Sequence, residues 1–493
     1  MMRKKNERPN INFLMLLKTM GWLLMIESAF MVLPVIIAII YGDADWLGFA
    51  ISAAITFVSG ILMTKCIRPR YSQMGRREGF LLTASVWVIF SLFGMIPFLI
   101  NIENISVADA FFESMSGFTT TGATVLDDTH TIDHGMHLWR ALTQWIGGMG
   151  IILFTLAVVP MLNSAGGMQM FNAEVTGITH DKVRPRISQT AKMLWMTYIL
   201  LTVAAFLALW VGPMGWFDSL CHAFGTTSTG GYSTFADGVN GFNSPYIYAV
   251  ITLFMFLGGV NFSLIIKVAT QGPRHLWQNE VFRIFIISIG IVFALFVIEI
   301  MIRHGFDDWQ LLTIKPLFQI VSMFTSTGYT VSGFAGWGSF ILGLMFVMMF
   351  VGGCAGSTSG GAKIDRVIFL IKYCRNEIKR CIHPNSVTAV KLSGRVQPFG
   401  LVSKVIAFLC LYFVVIIVGT LILMLLGQTP GHSFFSVFSC VSNSGISAGD
   451  VVYGNDFSAL SEPAKCVLSF IMLIGRLELF TILILMTRAF WKR

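Results

Sequence analysis

The chain has 493 residues, of which 55% are hydrophobic and only 12% charged, about half the ~25% charge of an average soluble protein. With mean hydropathy at +0.74 and apolar runs of the ~20 residues that cross ~30 Å of hydrocarbon, a soluble enzyme is excluded and a polytopic helical membrane protein is expected. The net charge of +9 is sorted along the chain, with 29 of the 34 Lys and Arg in six stretches (1–18, 65–77, 161–192, 267–283, 363–404 and 488–493). Between these lie five stretches without Lys or Arg (42–47, 102–135, 212–245, 304–314 and 428–462), and they hold 15 of the 25 acidic residues. Basic loops stay in the cytoplasm, so the alternation predicts both termini inside and the acidic loops outside. Nucleic acid is not needed to explain the basic balance.

In chain order, the basic start is followed by an apolar run from Ile11 to Ile40, too long for a signal-peptide core and without a small-x-small cleavage site. It is expected to remain as the first membrane helix. Spans are expected at 12–41, 46–66, 79–101, 138–163, 191–212, 245–270, 281–302, 338–372, 400–427 and 464–487, an even number that agrees with both termini on one side. Four outer stretches, Val107–Phe118, Gly215–Gly225, Trp309–Phe324 and His432–Val441, are apolar and helical in character but too short to cross. The eight cysteines show neither C-x-x-C nor His-paired spacing and are expected to be free thiols.

Each short helix runs into a Thr/Ser/Gly loop. The four read Phe118-Thr119-Thr120-Thr121-Gly122, Thr226-Thr227-Ser228-Thr229-Gly230, Phe324-Thr325-Ser326-Thr327-Gly328 and Val441-Ser442-Asn443-Ser444-Gly445. Aligned on those glycines, the repeat returns after 108, 98 and 117 residues, so most of the chain is one unit written four times. A second glycine signal follows each loop: Gly147-Gly148, Gly258-Gly259, Gly352-Gly353 and Gly475. The expected organisation is an N-terminal helix pair (1–77) and four helix, pore helix, loop, helix units at 78–175, 176–275, 276–385 and 386–493.

Non-helical backbone at membrane depth is tolerated only where its carbonyls line a wet cavity or coordinate something. Oxygens from four loops can replace the hydration shell of a monovalent cation, and helix C-termini ending on a common axis favour positive charge there. The candidate filter is therefore Thr120, Thr121, Gly122, Ser228, Thr229, Gly230, Ser326, Thr327, Gly328, Asn443, Ser444 and Gly445. A single such run reads more readily as an ordinary interhelical turn; four in one register, each behind a non-spanning helix, do not.

These residues resemble the Trk/Ktr/HKT superfamily of potassium transporters, within it the TrkH/TrkG-type bacterial membrane subunit, over nearly the whole chain. The resemblance implies a pseudo-fourfold pore in one polypeptide, potassium as the transported substrate, and no bound organic cofactor. Glycine in each filter loop goes with potassium in that family, and serine in the first loop with sodium-selective plant members. The fourth loop departs most, with Asn443 and Ser444 in place of threonines.

The segment 339–372 is about twelve residues longer than one crossing and carries Gly352-Gly353-Cys354-Ala355-Gly356-Ser357-Thr358-Ser359-Gly360-Gly361. No straight helix is expected there; a mobile intramembrane gating loop fits, against the alternative of a small-residue packing interface. A phosphate-binding P-loop fails because Gly360-Gly361-Ala362-Lys363 does not match G-x-x-x-x-G-K-[ST]. Arg476, inside the last span, is a candidate gate charge on the pore axis, or else a partner of Glu478 or of a filter-facing carbonyl. Glu27 and Glu299 read as packing or interfacial charges, and His222 and His432 as polar caps near the outer water.

A proton- or sodium-coupled symporter remains the alternative, although such folds usually carry inverted repeats and these units all run in one sense. An intramembrane enzyme finds no support: there is no H-E-x-x-H and no recurring Ser, His and Asp set. The nine basic residues between Lys363 and Lys404 form a cytoplasmic docking surface or an anionic-lipid contact. The resemblance implies a homodimer in the bacterial inner membrane and a separate cytoplasmic, nucleotide-binding RCK-type regulatory subunit of the TrkA type.

Overall fold

The computed structural model describes residues 11–69, 74–126, 132–150, 187–305, 309–331, 334–386, 389–446 and 457–491. It begins with a helix pair, α1 (Phe13–Tyr41) and α2 (Trp46–Cys66). Both are apolar all round, which suits burial in lipid on one side and protein on the other. They meet through small residues: a Cβ built on Gly21 or Gly60 would come within 2.8 Å of the other's carbonyl oxygen. In a bilayer, where apolar surface gains nothing by pairing, such close approach is the main source of helix association. Ser28 adds a hydrogen bond to the Ala53 carbonyl at 2.8 Å.

The first unit holds α3 (Arg76–Gly94), α4 (Ile96–Asn101), the short α5 (Val107–Phe118) and α6 (His134–Gly148). Ser106 caps α5, accepting from the Asp109 N–H at 3.1 Å. The second has α7 (Ile187–Val211), α8 (Trp216–Thr227), α9 (Pro245–Gly259), α10 (Phe262–Gln271) and α11 (Arg274–Gln278). The third has α12 (Glu280–His304), α13 (Trp309–Leu312), α14 (Ile314–Phe324), α15 (Ser339–Val351) and α16 (Ile364–Ile382). A two-residue antiparallel hairpin, Lys391–Leu392 against Arg395–Val396, then leads to the fourth unit. That unit comprises α17 (Phe399–Leu425), α18 (Pro430–Val441), α19 (Glu462–Arg476), α20 (Phe480–Met486) and α21 (Arg488–Trp491).

Among the described residues, six helical segments are long and apolar enough to cross a membrane, α3 and α4 counting as one, and two further pairs do so only as bent spans. The chain is a multi-pass membrane protein. The straight spans expected at 245–270 and 464–487 are both broken: α9 meets α10 at 99°, and α19 meets α20 at 115°. At the first break Asn261 restarts the helix, its side chain accepting from the Ser263 and Leu264 N–H groups at 2.8 and 3.3 Å. At the second, Glu478 and Leu479 both adopt left-handed backbone, φ 52° and 53°, which ends the helical ladder. Hydropathy cannot reveal either break, because apolar residues continue on both sides. The span expected at 138–163 is represented by α6 and Met149–Gly150; its remainder, and the basic stretch 161–192 up to residue 186, lie outside the described residues.

Glu27 is fully buried on α1, and Glu299 accepts from Arg303 one turn along α12 at 2.6 Å. All eight cysteines are unpaired.

Candidate ion pathway

The four short helices α5, α8, α14 and α18 end alike. The residue after each is Thr119, Ser228, Thr325 or Ser442, whose hydroxyl donates to the carbonyl four residues back at 2.7, 2.7, 2.7 and 2.9 Å. The next residue is left-handed although it is not glycine: Thr120, Thr229, Ser326 and Asn443, with φ 52°, 54°, 50° and 51°. Such residues are strained by about 1–3 kcal/mol each and persist only where the surroundings impose them. Two positions on stands a left-handed glycine: Gly122, Gly231, Gly328 and Gly445, with φ 81°, 85°, 85° and 67°.

This corrects the register of the second loop. Gly231, not Gly230, is the counterpart of the other three glycines, and Ser228 is a helix cap like Thr119. The intervening N–H groups agree: Thr121, Gly230, Thr327 and Ser444 donate to Ser116, Gly225, Ser322 and Ser439 carbonyls at 2.8–3.0 Å. Two adjacent glycines leave a sequence alignment free to choose either one. Only the backbone dihedral separates them.

The loops touch one another in a closed cycle. A Cβ on Gly122 would overlap the Gly230 carbonyl oxygen, one on Gly231 that of Thr327, one on Gly328 that of Ser444, and one on Gly445 that of Thr121. First meets second, second meets third, third meets fourth, and fourth returns to first. Glycine is required at all four positions twice over, by the left-handed φ and by the neighbouring carbonyl. The pore-helix C-termini direct their negative dipole ends into the same region.

Behind the first two loops lies an ion pair that the sequence reading did not single out. Arg140 on α6, 2% exposed, binds Glu113 on α5, fully buried, at 2.9 Å. Glu113 also accepts from Thr124 Oγ1 and the Val125 N–H at 3.1 and 3.0 Å, fixing the strand that leaves the first loop. The Arg140 guanidinium lies 4.3 Å from the Tyr232 ring centroid, and the Tyr232 hydroxyl donates to the Glu113 and Ala123 carbonyls. An isolated arginine in an apolar span was the available signal, as it was for Arg476. His222 is not an outer cap: it is fully buried, with Nδ1 2.8 Å from the Asp218 carbonyl and Nε2 3.0 Å from Ser233 Oγ, bracing the second loop.

Next to these four loops, α15 ends at Val351 and residues 352–363 form a loop before α16 starts at Ile364. Its backbone is held by three units. Cys354 and Thr358 donate to the Gly259 and Gly258 carbonyls at 2.9 and 3.2 Å, Gly361 donates to the Ser442 carbonyl at 3.0 Å, and Gly360 donates to Ser326 Oγ. Thr358 Oγ1 reaches the Thr227 carbonyl at 3.2 Å. Arg476 supplies the link to the first unit, donating to the carbonyls of Thr358 at 3.0 Å, Gly147 at 2.7 Å and Gly148 at 3.2 Å. Its partners are thus carbonyls of the loop and of α6, while Glu478 pairs with Arg366 on α16.

Lys363, the first of the basic residues between 363 and 404, is set apart from a solvent-facing basic surface. It is 5% exposed, left-handed at φ 71°, and its ammonium donates to the Ser359 carbonyl. A cavity of about 110 Å³ is lined by Lys363 and Arg476 together with Gly148, Ser357, Ser359 and Asn443. Two basic side chains therefore border this cavity.

The profile of the TrkH family, described as cation transport protein, matches residues 47–492. The Trk system potassium uptake protein TrkH of Escherichia coli (strain K12) is 37% identical over 488 residues, covering 98% of this chain and all of that one. The Trk system potassium uptake protein TrkG of the same strain is 31% identical, covering 96% of this chain and 97% of that one. The crystal structure of the potassium transporter TrkH from Vibrio parahaemolyticus superposes with a TM-score of 0.89 at 33% identity, covering 98% and 100% of the two chains. With its family profile, its full-length relatives and its fold in agreement, the chain belongs to the TrkH family of membrane cation transport proteins.

Proposed function

We propose that this protein takes up potassium across the bacterial inner membrane through a channel-like path whose filter is the cycle of four loops. The observation that carries this reading is the closed ring of left-handed glycines, each against the carbonyl of the next loop. Backbone oxygens brought together at membrane depth from four directions match the coordination demands of a dehydrated monovalent cation. The names of the full-length relatives support potassium as that cation. In this reading the filter residues are Thr120, Thr121 and Gly122, Thr229, Gly230 and Gly231, Ser326, Thr327 and Gly328, and Asn443, Ser444 and Gly445, in a pseudo-fourfold arrangement.

The loop 352–363 acts as the gate, closed by Arg476 and Lys363, whose positive charges oppose a cation leaving the filter until the loop moves. Both termini face the cytoplasm, as the charge sorting supports. A groove of about 580 Å³ between α16 and the hairpin, bordered by Lys372, Arg375, Lys379 and Lys391, offers a cytoplasmic docking face. It suits the nucleotide-binding regulatory ring of a homodimeric assembly.

Growth at low potassium of a host lacking its own uptake systems tests the transport claim, and expression of this chain with its regulatory subunit is expected to restore it. Flux into proteoliposomes, with and without a proton or sodium gradient, separates the mechanisms. Channel-like conduction runs down the potassium gradient alone, whereas a strict requirement for a coupling gradient would replace it with symport.

A further inference from the structure

Three of the four filter loops are tied to their pore helices by paired hydroxyls, and the second is not. Thr121 Oγ1 lies 2.8 Å from Thr119 Oγ1, Thr327 Oγ1 lies 2.7 Å from Thr325 Oγ1, and Ser444 Oγ lies 3.0 Å from Ser442 Oγ. Each pair joins the residue before the left-handed glycine to the helix cap. In the second loop that residue is Gly230, which has no hydroxyl. Gln144 on α6, fully buried, reaches it from the first unit instead. Its Nε2 donates to the Gly230 carbonyl at 2.8 Å, and its Oε1 accepts from the Tyr232 N–H at 3.1 Å. One amide therefore brackets Gly231 on both sides.

The two solutions exclude each other in space, since a Cβ on Gly230 would run into the Gln144 side chain. The second and fourth units have no glutamine at the matching turn. Gly147, Gly258 and Gly475 each lie against the carbonyl preceding a helix cap, and the residue three positions before each is Gln144, Met255 and Met472.

We infer that Gln144 is a positioning residue for ion selectivity, holding the Gly230 carbonyl in place of the missing hydroxyl pair. This rests on the filter reading above. A carbonyl pinned by a donor keeps its distance when a smaller ion enters, whereas an unpinned one can close on sodium and so lose discrimination. Gln144 does this without being a ligand of the ion.

The test is the potassium-over-sodium permeability ratio in proteoliposomes for Gln144→Met, for the double variant Gln144→Ala/Gly230→Thr, and for Gly231→Ser. Gln144→Met is expected to lower the ratio about tenfold, the weight of one hydrogen bond to a buried group. The double variant, which removes the obstructing amide and gives Ser228 a hydroxyl partner, is expected to recover most of the loss. A wild-type ratio in Gln144→Met beside a lost ratio in Gly231→Ser overturns the inference and spares the filter. Wild-type ratios in both overturn the filter itself. Should Gln144→Met fail to fold, the double variant decides: a ratio near wild type upholds the role, and one as low as that of Gly231→Ser refutes it.

Discussion

At the scale of single residues, the four loops depend on positions where side chain and backbone agree, and Asp45, in the turn between α1 and α2, is one where burial and charge conflict. Asp45 sits before α2 and is 4% exposed. Burial, with Asp133 and Asp43 beside it, pushes its carboxyl up to about 6. The neighbouring Asp43 is itself engaged by His134 at 2.9 Å. A carboxyl whose value is raised on folding binds its proton more tightly in the folded state, so stability falls as pH rises from the unfolded value near 4 toward 6 and then levels off. Asp45→Asn is therefore expected to melt at a higher temperature than the wild type above pH 6 and to match it near pH 4. Thermal unfolding of the detergent-solubilised protein across that range checks it, and parallel melting curves for the two proteins at every pH would contradict it.

At the scale of elements, the loop 352–363 is informative because the basic side chains of Lys363 and Arg476 are joined to its glycine-rich backbone by hydrogen bonds. Arg476 ties it to α6, and Lys363 anchors its end to Ser359. Arg476→Gln removes the charge together with part of its set of carbonyl contacts, and Lys363→Met removes the second charge. Each is expected to raise potassium flux by about tenfold or more, since a unit charge ~4 Å from the path weighs about 4 kcal/mol at an effective dielectric of ~20. Radiotracer uptake under a fixed gradient reads this directly; unchanged flux in both variants would contradict the proposed charge gate. The presence of this loop was legible in the sequence as five glycines within ten residues. The burial of Lys363 was not, because a lysine beside a basic run has the same composition whether it faces water or the protein interior.

At the scale of the whole molecule, the fourfold repeat was readable because short apolar helices followed by Thr/Ser/Gly loops recur at nearly constant spacing. What sequence could not supply was register and direction. Gly230 and Gly231 differ only in which of them is left-handed, and the bends after Gly259 and Arg476 interrupt stretches that are apolar on both sides of a few polar residues, so mean hydropathy carries on across them. Long-range partners were equally hidden: Gln144 meets Gly230 and Arg476 meets Gly147 only once the units have closed on one another. The account stands on that closure, and the most direct measurement is an anomalous-difference map from crystals grown in thallium, a heavy surrogate for potassium. It predicts density inside the ring of Gly122, Gly231, Gly328 and Gly445, within coordinating distance of oxygens from all four loops. A map with no density in that ring, and thallium bound instead beside a single loop, would contradict it.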